Sequence, residues 1–313
     1  MLDIVTVIAN PLLWKSRVST ARKAIGAWLE EPEVRVTLVE CAYGERPYEL
    51  EEFAEYPRIT YVPVRAKTLV WNKENLMNIG FARSPSDAKY FGSFDADIVF
   101  RRPGWAREVI NALHLYPVIQ PWETCYDLGP NDELIGLHRS FASLLHSGSP
   151  VAPNGPKMWK SDGGPYEYPH SGYAWAYTRE VLDKLGGLFE VGGMGSGDHH
   201  MALALAGFGD NSVHSRANGN YLHAVRRWEA RAKEHVKGKV GFLPIAIEHI
   251  FHGSKVRRNY VGRWDMFVQH QFDPVGDLIR NSWGVLEFSG DKPDLERAFD
   301  RYLRSRNEDA NCV

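Results

Sequence analysis

Along the first hundred residues, short continuous apolar runs alternate with stretches of helical period. Ile4–Ala9, Val34–Glu40, Ile59–Val62 and Tyr90–Phe94 read as strands, with helices predicted over Val18–Leu29 and Asn72–Ala82. Near-continuous apolar strands separated by helices are what a mainly parallel sheet covered on both faces requires. The pattern predicts an α/β layered domain, in which ligands collect beyond the carboxyl ends of the strands. Glu40, after the second strand, and Asp95 and Asp97, after the fourth, are then expected to share one crevice.

Further on, the same reading predicts a helix near Trp105–Leu115, a strand over Pro117–Gln120, a strand over Tyr173–Thr178 and a helix over Arg179–Leu185. A helix from Asp198 to Ala206 is ended by Gly207, and Leu243–His249 reads as a strand. A helix near Tyr260–Gln271 and a charged helix from Asp294 to Arg304 close the chain. Residues 147–172 are rich in Gly, Pro and Ser and carry Trp159, Tyr166 and Tyr168. They form either a lid over a ligand or a long surface loop with incidental aromatics.

Composition narrows the class. With 313 residues, 44% hydrophobic and 24% charged, the chain can bury one large core or two modest ones, which excludes bulk disorder. No stretch approaches the roughly 20 apolar residues of a membrane span, and Met1–Val7 enters a strand directly, so a cytoplasmic protein is expected. Cys41, Cys125 and Cys312 are odd in number and far apart, and are read as reduced. The net charge is −2, yet residues 216–263 hold eleven Lys or Arg against three Glu, a local +8. Such a stretch fits an anionic partner, a nucleotide diphosphate or a nucleic-acid backbone, and equally a solvated face.

Four constellations carry chemistry. Asp95 and Asp97 alternate at a strand end and so can point the same way toward one hard cation; alone, an Asp-x-Asp is weak, because such pairs also occur in solvated turns. His249 and His252 follow a strand and precede Gly253, and could complete the coordination of a cation held by Asp97. Mixed oxygen and nitrogen ligation favours Mn²⁺ or another borderline cation over Ca²⁺. The glycine-rich run from Gly192 through Gly195 to Gly197 leads into Asp198 at a helix start. Asp198 suits an N-cap, and also a base exposed in a glycine-lined pocket. Lastly, Trp71 and Lys73 open a helix whose Leu76, Met77 and Phe81 face the sheet, leaving the indole to stack on a base and the ammonium to neutralise a phosphate.

Trp71-Asn72-Lys73 followed by Leu76, Asn78, Gly80 and Phe81, then Asp95-x-Asp97, then Gly195-x-Gly197-Asp198, then the His249/His252 pair resembles the β-1,4-galactosyltransferase family in the order and approximate spacing of four motifs across residues 71–252. The resemblance implies a GT-A (Rossmann-like) α/β fold, with a mixed, mainly parallel sheet flanked by helices. It implies a catalytic domain over 1–255, its nucleotide-sugar half 1–125 and its acceptor and metal half 126–255, with a C-terminal helical extension over 256–313. The activity implied is inverting, metal-dependent transfer of a hexose from a UDP-sugar to a hydroxyl.

Under that resemblance Asp97 ligates Mn²⁺ (or Mg²⁺) with His252, and His249 stands where the family uses a methionine ligand. Asp95 takes a donor-ribose or more distant role, and Asp198 matches the base that deprotonates the acceptor. Trp71, Lys73, Pro11, Arg17, Glu40, Gly172 and Gly195 are assigned to the donor pocket. The chain departs from the family at Gly197, where an acidic acceptor contact is expected, at Met194 in place of a tryptophan, and around Pro169–Gly172, where a galactose-selecting tyrosine is missing. The family's Golgi anchor is also missing, which implies a bacterial or phage enzyme. The acceptor expected is a hydroxymethylated pyrimidine in DNA, by a slight lean, with a saccharide or glycolipid hydroxyl as the alternative. The DNA reading leans on the basic stretch, with Trp228 and Trp264 as stacking surfaces. A nucleotidyltransferase is disfavoured because Ala9–Leu13 is no glycine-rich phosphate loop, and a non-catalytic sugar-binding module has no need of Asp198.

Overall fold

The first strand, Leu2–Ala9 (β1), sends Leu2, Ile4 and Ile8 to one side and Val5 to the other, and both sides are covered. That double burial is why the segment reads as an apolar run and not as an alternation. In a computed structural model, which describes residues 1–151, 169–253, 256–258 and 262–310, β1 pairs in parallel with Val34–Tyr43 (β2) and Tyr90–Phe94 (β4). Ile59–Ala66 (β3) extends the sheet beyond β2. On the other side, Ala174–Thr178 (β9) runs antiparallel to both β4 and Val118–Gln120 (β6), and Val240–Phe242 (β10) completes a seven-stranded sheet beside β6. Only β9 opposes the common direction, so the sheet is mixed and mainly parallel, as expected.

Helices cover both faces. Lys15–Leu29 (α1) and Trp105–Leu113 (α3) bury Ile25, Trp28, Trp105 and Val109 against Leu2, Ile4 and Val36. On the opposite face Lys73–Arg83 (α2), Arg179–Leu185 (α5), Gly197–Leu205 (α6) and Gly219–His235 (α7) share a core with Val5, Phe91 and Tyr177. The short helix Phe141–His146 (α4), Arg263–Gln269 (α8) and Pro293–Ser305 (α9) add Phe141, Phe267 and Phe299 to that core.

A second sheet carries the chemistry. Its order is Ile98–Phe100 (β5), Ala246–His249 (β11), Thr124–Leu128 (β7) and Leu134–Arg139 (β8). A hairpin of Leu278–Arg280 (β12) and Leu286–Phe288 (β13) stands apart.

Of the expected elements, Tyr90–Phe94 and Arg179–Leu185 have the bounds read from sequence, and the others shift at their ends. The strands β5, β7, β8 and β10, the helix α4 and the β12–β13 hairpin were not foreseen. The larger omission is α7, which lies inside the basic stretch. Its buried Tyr221, Ala224, Val225, Trp228 and Ala232 follow helical spacing, and the Asn218 side chain accepts from the Asn220 amide to cap it. Cys41 and Cys125 are buried, and burial pushes the Cys41 thiol up to about 12. No helix among the described residues is long and apolar enough to cross a membrane. Trp159, Tyr166, Tyr168, Tyr260 and Cys312 lie outside the described residues.

Candidate active site

Strand register builds the first part of the site. Ile98 pairs with His249 across antiparallel β5 and β11, and the Ile250 amide donates to the Asp97 carbonyl at 2.8 Å. Asp97, just before β5, is thereby set beside His249 at the end of β11, with His252 three residues further. The Asp97 Oδ2 atom lies 2.8 Å from Nε2 of His252 and 3.7 Å from Nε2 of His249, and the two imidazole nitrogens are 3.3 Å apart. One donor atom from each side chain falls within 4.8 Å of the others. Asp97 Oδ1 is buried with no hydrogen-bond partner among the described residues. A buried carboxylate oxygen without a partner, beside two imidazoles, fits a divalent cation.

Electrostatics agree with that fit. Burial opposes ionisation of Asp97, but the two histidines outweigh it and hold the carboxyl well below the usual carboxylate range. On parallel β7, in register with His249, Asp127 places Oδ1 2.6 Å from His249 Nδ1. Arg258 Nη2 approaches His252 Nε2 at 3.0 Å.

Asp95 does not converge on the same point. Its amide donates to the Tyr173 carbonyl, and its Oδ1 accepts from Lys73 Nζ at 3.0 Å. Burial raises the Asp95 carboxyl, with Lys73 countering in part, whereas Asp97 is lowered. The two carboxylates of the Asp-x-Asp are thus divided between a lysine and a metal-ligand cluster. Lys73, the first residue of α2, stays protonated despite burial because Asp95, Asp198 and Glu74 surround it.

Asp198 occupies the first turn of α6, where the helix dipole favours a negative charge, and its Oδ1 accepts from the His199 amide at 2.8 Å. Gly172 makes room for it, since a Cβ there would sit 2.8 Å from Asp198 Oδ2 and 3.0 Å from the His170 ring. Glu74 fills the space on the other side, against Gly197, and burial raises its carboxyl to about 7. Burial also lowers His199 to about 4, so the imidazole beside Asp198 is neutral.

These groups line one cleft of about 230 Å³, together with Pro11, Arg17, Trp71, Gly172 and Gly195 from the expected donor pocket. Glu40 is the exception. It lies within β2, which runs on to Tyr43, and its carboxylate is taken by the Glu49 and Leu50 amides and the Tyr61 hydroxyl, so it does not line the cleft. Trp228 and Trp264 also depart from expectation, because both are buried in the core and Trp228 Nε1 donates to the Gly187 carbonyl. Among the described residues of the basic stretch, Arg226 pairs with Asp210 and Lys233 with Glu229 at the surface, while Arg258 and Arg263 line the cleft.

Several residues of the cleft were not singled out from sequence. Glu74 could have been, since it sits inside the Trp71–Phe81 motif at a helix start. Arg258, Arg263 and Arg306 also line the cleft, while Asp127 and Glu308 stand beside it, brought to His249 and Arg17 by long-range pairing that no local pattern announces.

No protein-family model and no curated protein matches the chain. In structure it is similar to a mannosyltransferase from Pyrobaculum calidifontis in complex with GDP-Man and Mn²⁺, at 11% identity and a TM-score of 0.43, covering 86% of this chain and 61% of that one. It is similar to the catalytic domain of Drosophila β1,4-galactosyltransferase 7 in complex with xylobiose, at 11% identity and a TM-score of 0.40, covering 94% and 96%. A third likeness is to GalNAc-T7 with UDP, GalNAc and Mn²⁺, at 14% identity and a TM-score of 0.44, covering 97% and 54%. The chain spans less than two thirds of the mannosyltransferase and of GalNAc-T7. At such low identities and TM-scores, the side chains of the cleft carry the functional reading.

Proposed function

We propose that the protein is a metal-dependent glycosyltransferase that moves a hexose from a nucleoside diphosphate, UDP in the first instance, to an acceptor hydroxyl with inversion. The observation that carries this reading is the convergence of Asp97, His249 and His252 in a cleft that Asp198 also lines. Asp97, His249 and His252 would hold Mn²⁺, which when bound supplies Lewis-acid stabilisation to the leaving diphosphate. The likenesses to proteins bound to Mn²⁺ with GDP-Man or UDP accord with that choice of metal and donor.

In the transfer, the acceptor oxygen forms a bond to the anomeric carbon as the bond from that carbon to the phosphate oxygen breaks. The acceptor proton passes to Asp198, which lines the cleft from the first turn of α6. Lys73, held charged, offsets the negative charge that collects on the departing diphosphate.

As acceptor we propose a saccharide hydroxyl. The case for hydroxymethylated DNA drew on the basic stretch, on Gly197 and Met194 in place of the family's acceptor contacts, and on Trp228 and Trp264 as stacking surfaces; of these supports the two rings are lost, because both are buried. The test is a donor panel of UDP-hexoses with Mn²⁺ or EDTA, offered to free saccharides and to hydroxymethylcytosine DNA. Mn²⁺-dependent sugar transfer to a saccharide is expected. Transfer to DNA alone would overturn the acceptor assignment, and no donor turnover under any condition would overturn the enzyme reading.

A further inference from the structure

The turn after α9 folds back on the cleft and puts a carboxylate where cations gather. Glu308 Oε2 lies 2.6 Å from Arg17 Nε, and Oε1 lies 2.9 Å from Arg17 Nη2 and 2.7 Å from Arg306 Nη2. Oε2 is also 3.5 Å from His252 Nδ1. Arg306 lies 4.6 Å over the Trp71 ring, and Arg17 stands 5.8 Å from the same ring. The turn is pinned from outside: Asp309 accepts from the Lys15 and Ser16 amides at the start of α1, and Ser16 Oγ donates to the Glu308 carbonyl. Gly253, at φ +90°, packs so closely that a Cβ there would lie 2.8 Å from Glu308 Cα.

Two observations indicate that this pocket suits an anion larger than one carboxylate. Arg306 is only 3% exposed, lines the cleft, and has Nε and Nη1 without hydrogen-bond partners among the described residues. Leaving two guanidinium nitrogens, which carry three N–H groups, buried and unmatched is costly, and Glu308 does not reach them. Charge is also short. Burial depresses the Arg306 guanidinium, which Glu308 only partly offsets, while Glu308, despite burial, is held well below the usual range by Arg17 and Arg306. One negative charge is shared by two cations, Arg306 buried and Arg17 partly buried.

We propose that Arg17 and Arg306 form a phosphate subsite at the Trp71 end of the cleft, and that Glu308 fills it as an internal anion which the donor's diphosphate displaces. This rests on the nucleoside-diphosphate reading above for its ligand. A diphosphate carries more charge and more acceptor oxygens than Glu308, so it can engage the N–H groups that Glu308 leaves unmatched. Displacement has a cost in affinity, because only the fraction of molecules with the turn released can bind.

The test is titration with inorganic pyrophosphate without metal, and separately with UDP and Mn²⁺, on wild type, Glu308→Gln, Asp309→Asn and Arg306→Ala, each checked for folding by its thermal melt. Pyrophosphate is expected to bind Glu308→Gln and Asp309→Asn about tenfold more tightly than wild type, and Arg306→Ala more weakly. Saturating wild type with pyrophosphate is expected to speed hydrogen exchange at residues 306–309. If folded Glu308→Gln binds pyrophosphate no better than wild type, the proposal is overturned; should Glu308→Gln fail to fold, Asp309→Asn decides in the same way. Mn²⁺-dependent UDP binding that is equal in wild type and Glu308→Gln would remove the internal anion and keep the donor reading. A pyrophosphate response with no nucleotide binding in any variant would do the reverse.

Discussion

Asp127 and His249 meet at 2.6 Å, carboxylate oxygen to Nδ1, across the parallel pairing of β7 and β11. With Asp127 ionised and accepting, Nδ1 would carry the proton, and Nε2 is the ring nitrogen that faces Asp97 and His252 and would ligate a cation. Asp127 would thereby position a proposed metal ligand that it does not itself supplement. Asp127→Ala is expected to weaken Mn²⁺ binding by roughly 10- to 100-fold in calorimetry. In nitrogen-15 spectra of the metal-free protein, the His249 ring should move from the Nδ1–H tautomer toward a mixture. Unchanged Mn²⁺ affinity with an unchanged tautomer would remove the positioning role.

Asp198→Asn keeps the shape of the side chain and removes its ability to take a proton. Turnover is expected to fall by ~10²–10⁴-fold, while UDP binding in the presence of Mn²⁺ stays near the wild-type value. Steady-state kinetics paired with a binding titration separate the two. A variant that turns over at the wild-type rate would show that the proton leaves by another route.

How much of this was readable in the chain differs by residue, for physical reasons. β1 and β2 were legible because burial on both faces leaves a continuous apolar run. Asp97, His249 and His252 were legible because a strand end and a turn put ligand types at short spacing. Strand alternation gives Asp95 and Asp97 a common direction but not their partners: Asp95 lines the cleft as expected of a donor-side residue, and its partner Lys73 arrives from α2. Glu40 was misread because β2 continues three residues past it, so a position taken for a strand end is a strand interior. Trp228 was taken for a surface ring because the charge of 216–263 masked a helical period that its neighbours Tyr221, Ala224 and Val225 display. Asp127 and Glu308 were beyond reach: they sit 122 residues from His249 and 291 from Arg17, and only the fold brings each pair together.

Trp28 links the core to the Asp97, His249 and His252 cluster. It is fully buried, packs edge-on to Phe94 with ring centroids 5.7 Å apart, and donates Nε1 to the Ile98 carbonyl at 3.0 Å, one residue from Asp97. Trp28→Phe should cost about 1–3 kcal/mol by leaving that carbonyl unmatched and a partial void. Because the lost bond anchors β5, Mn²⁺ affinity should fall with it. Denaturant melts and metal titration on the same variant check the coupling; a loss of stability with no change in Mn²⁺ affinity would show that β5 is held by β11 alone.

Glu74 gives the fold a pH dependence of unusual sign. Its carboxyl is raised from 4.5 to about 7, chiefly by burial, with Lys73 opposing and Asp198 adding to the rise. Between those two values the folded chain keeps a proton that the unfolded chain has released, so this group's contribution to stability falls as pH rises through that window and is constant above it. The ceiling on the effect is about 3 kcal/mol, from about 2.5 units at roughly 1.36 kcal/mol each. Glu74→Gln replaces the protonated acid by a neutral side chain of the same shape, so it should be close to wild type in stability near pH 4.5 and progressively more stable toward pH 7. Chemical denaturation of both proteins across that range measures the difference directly. A constant offset between them, with no dependence on pH, would mean that Glu74 is ionised in the folded protein and that Lys73 outweighs burial.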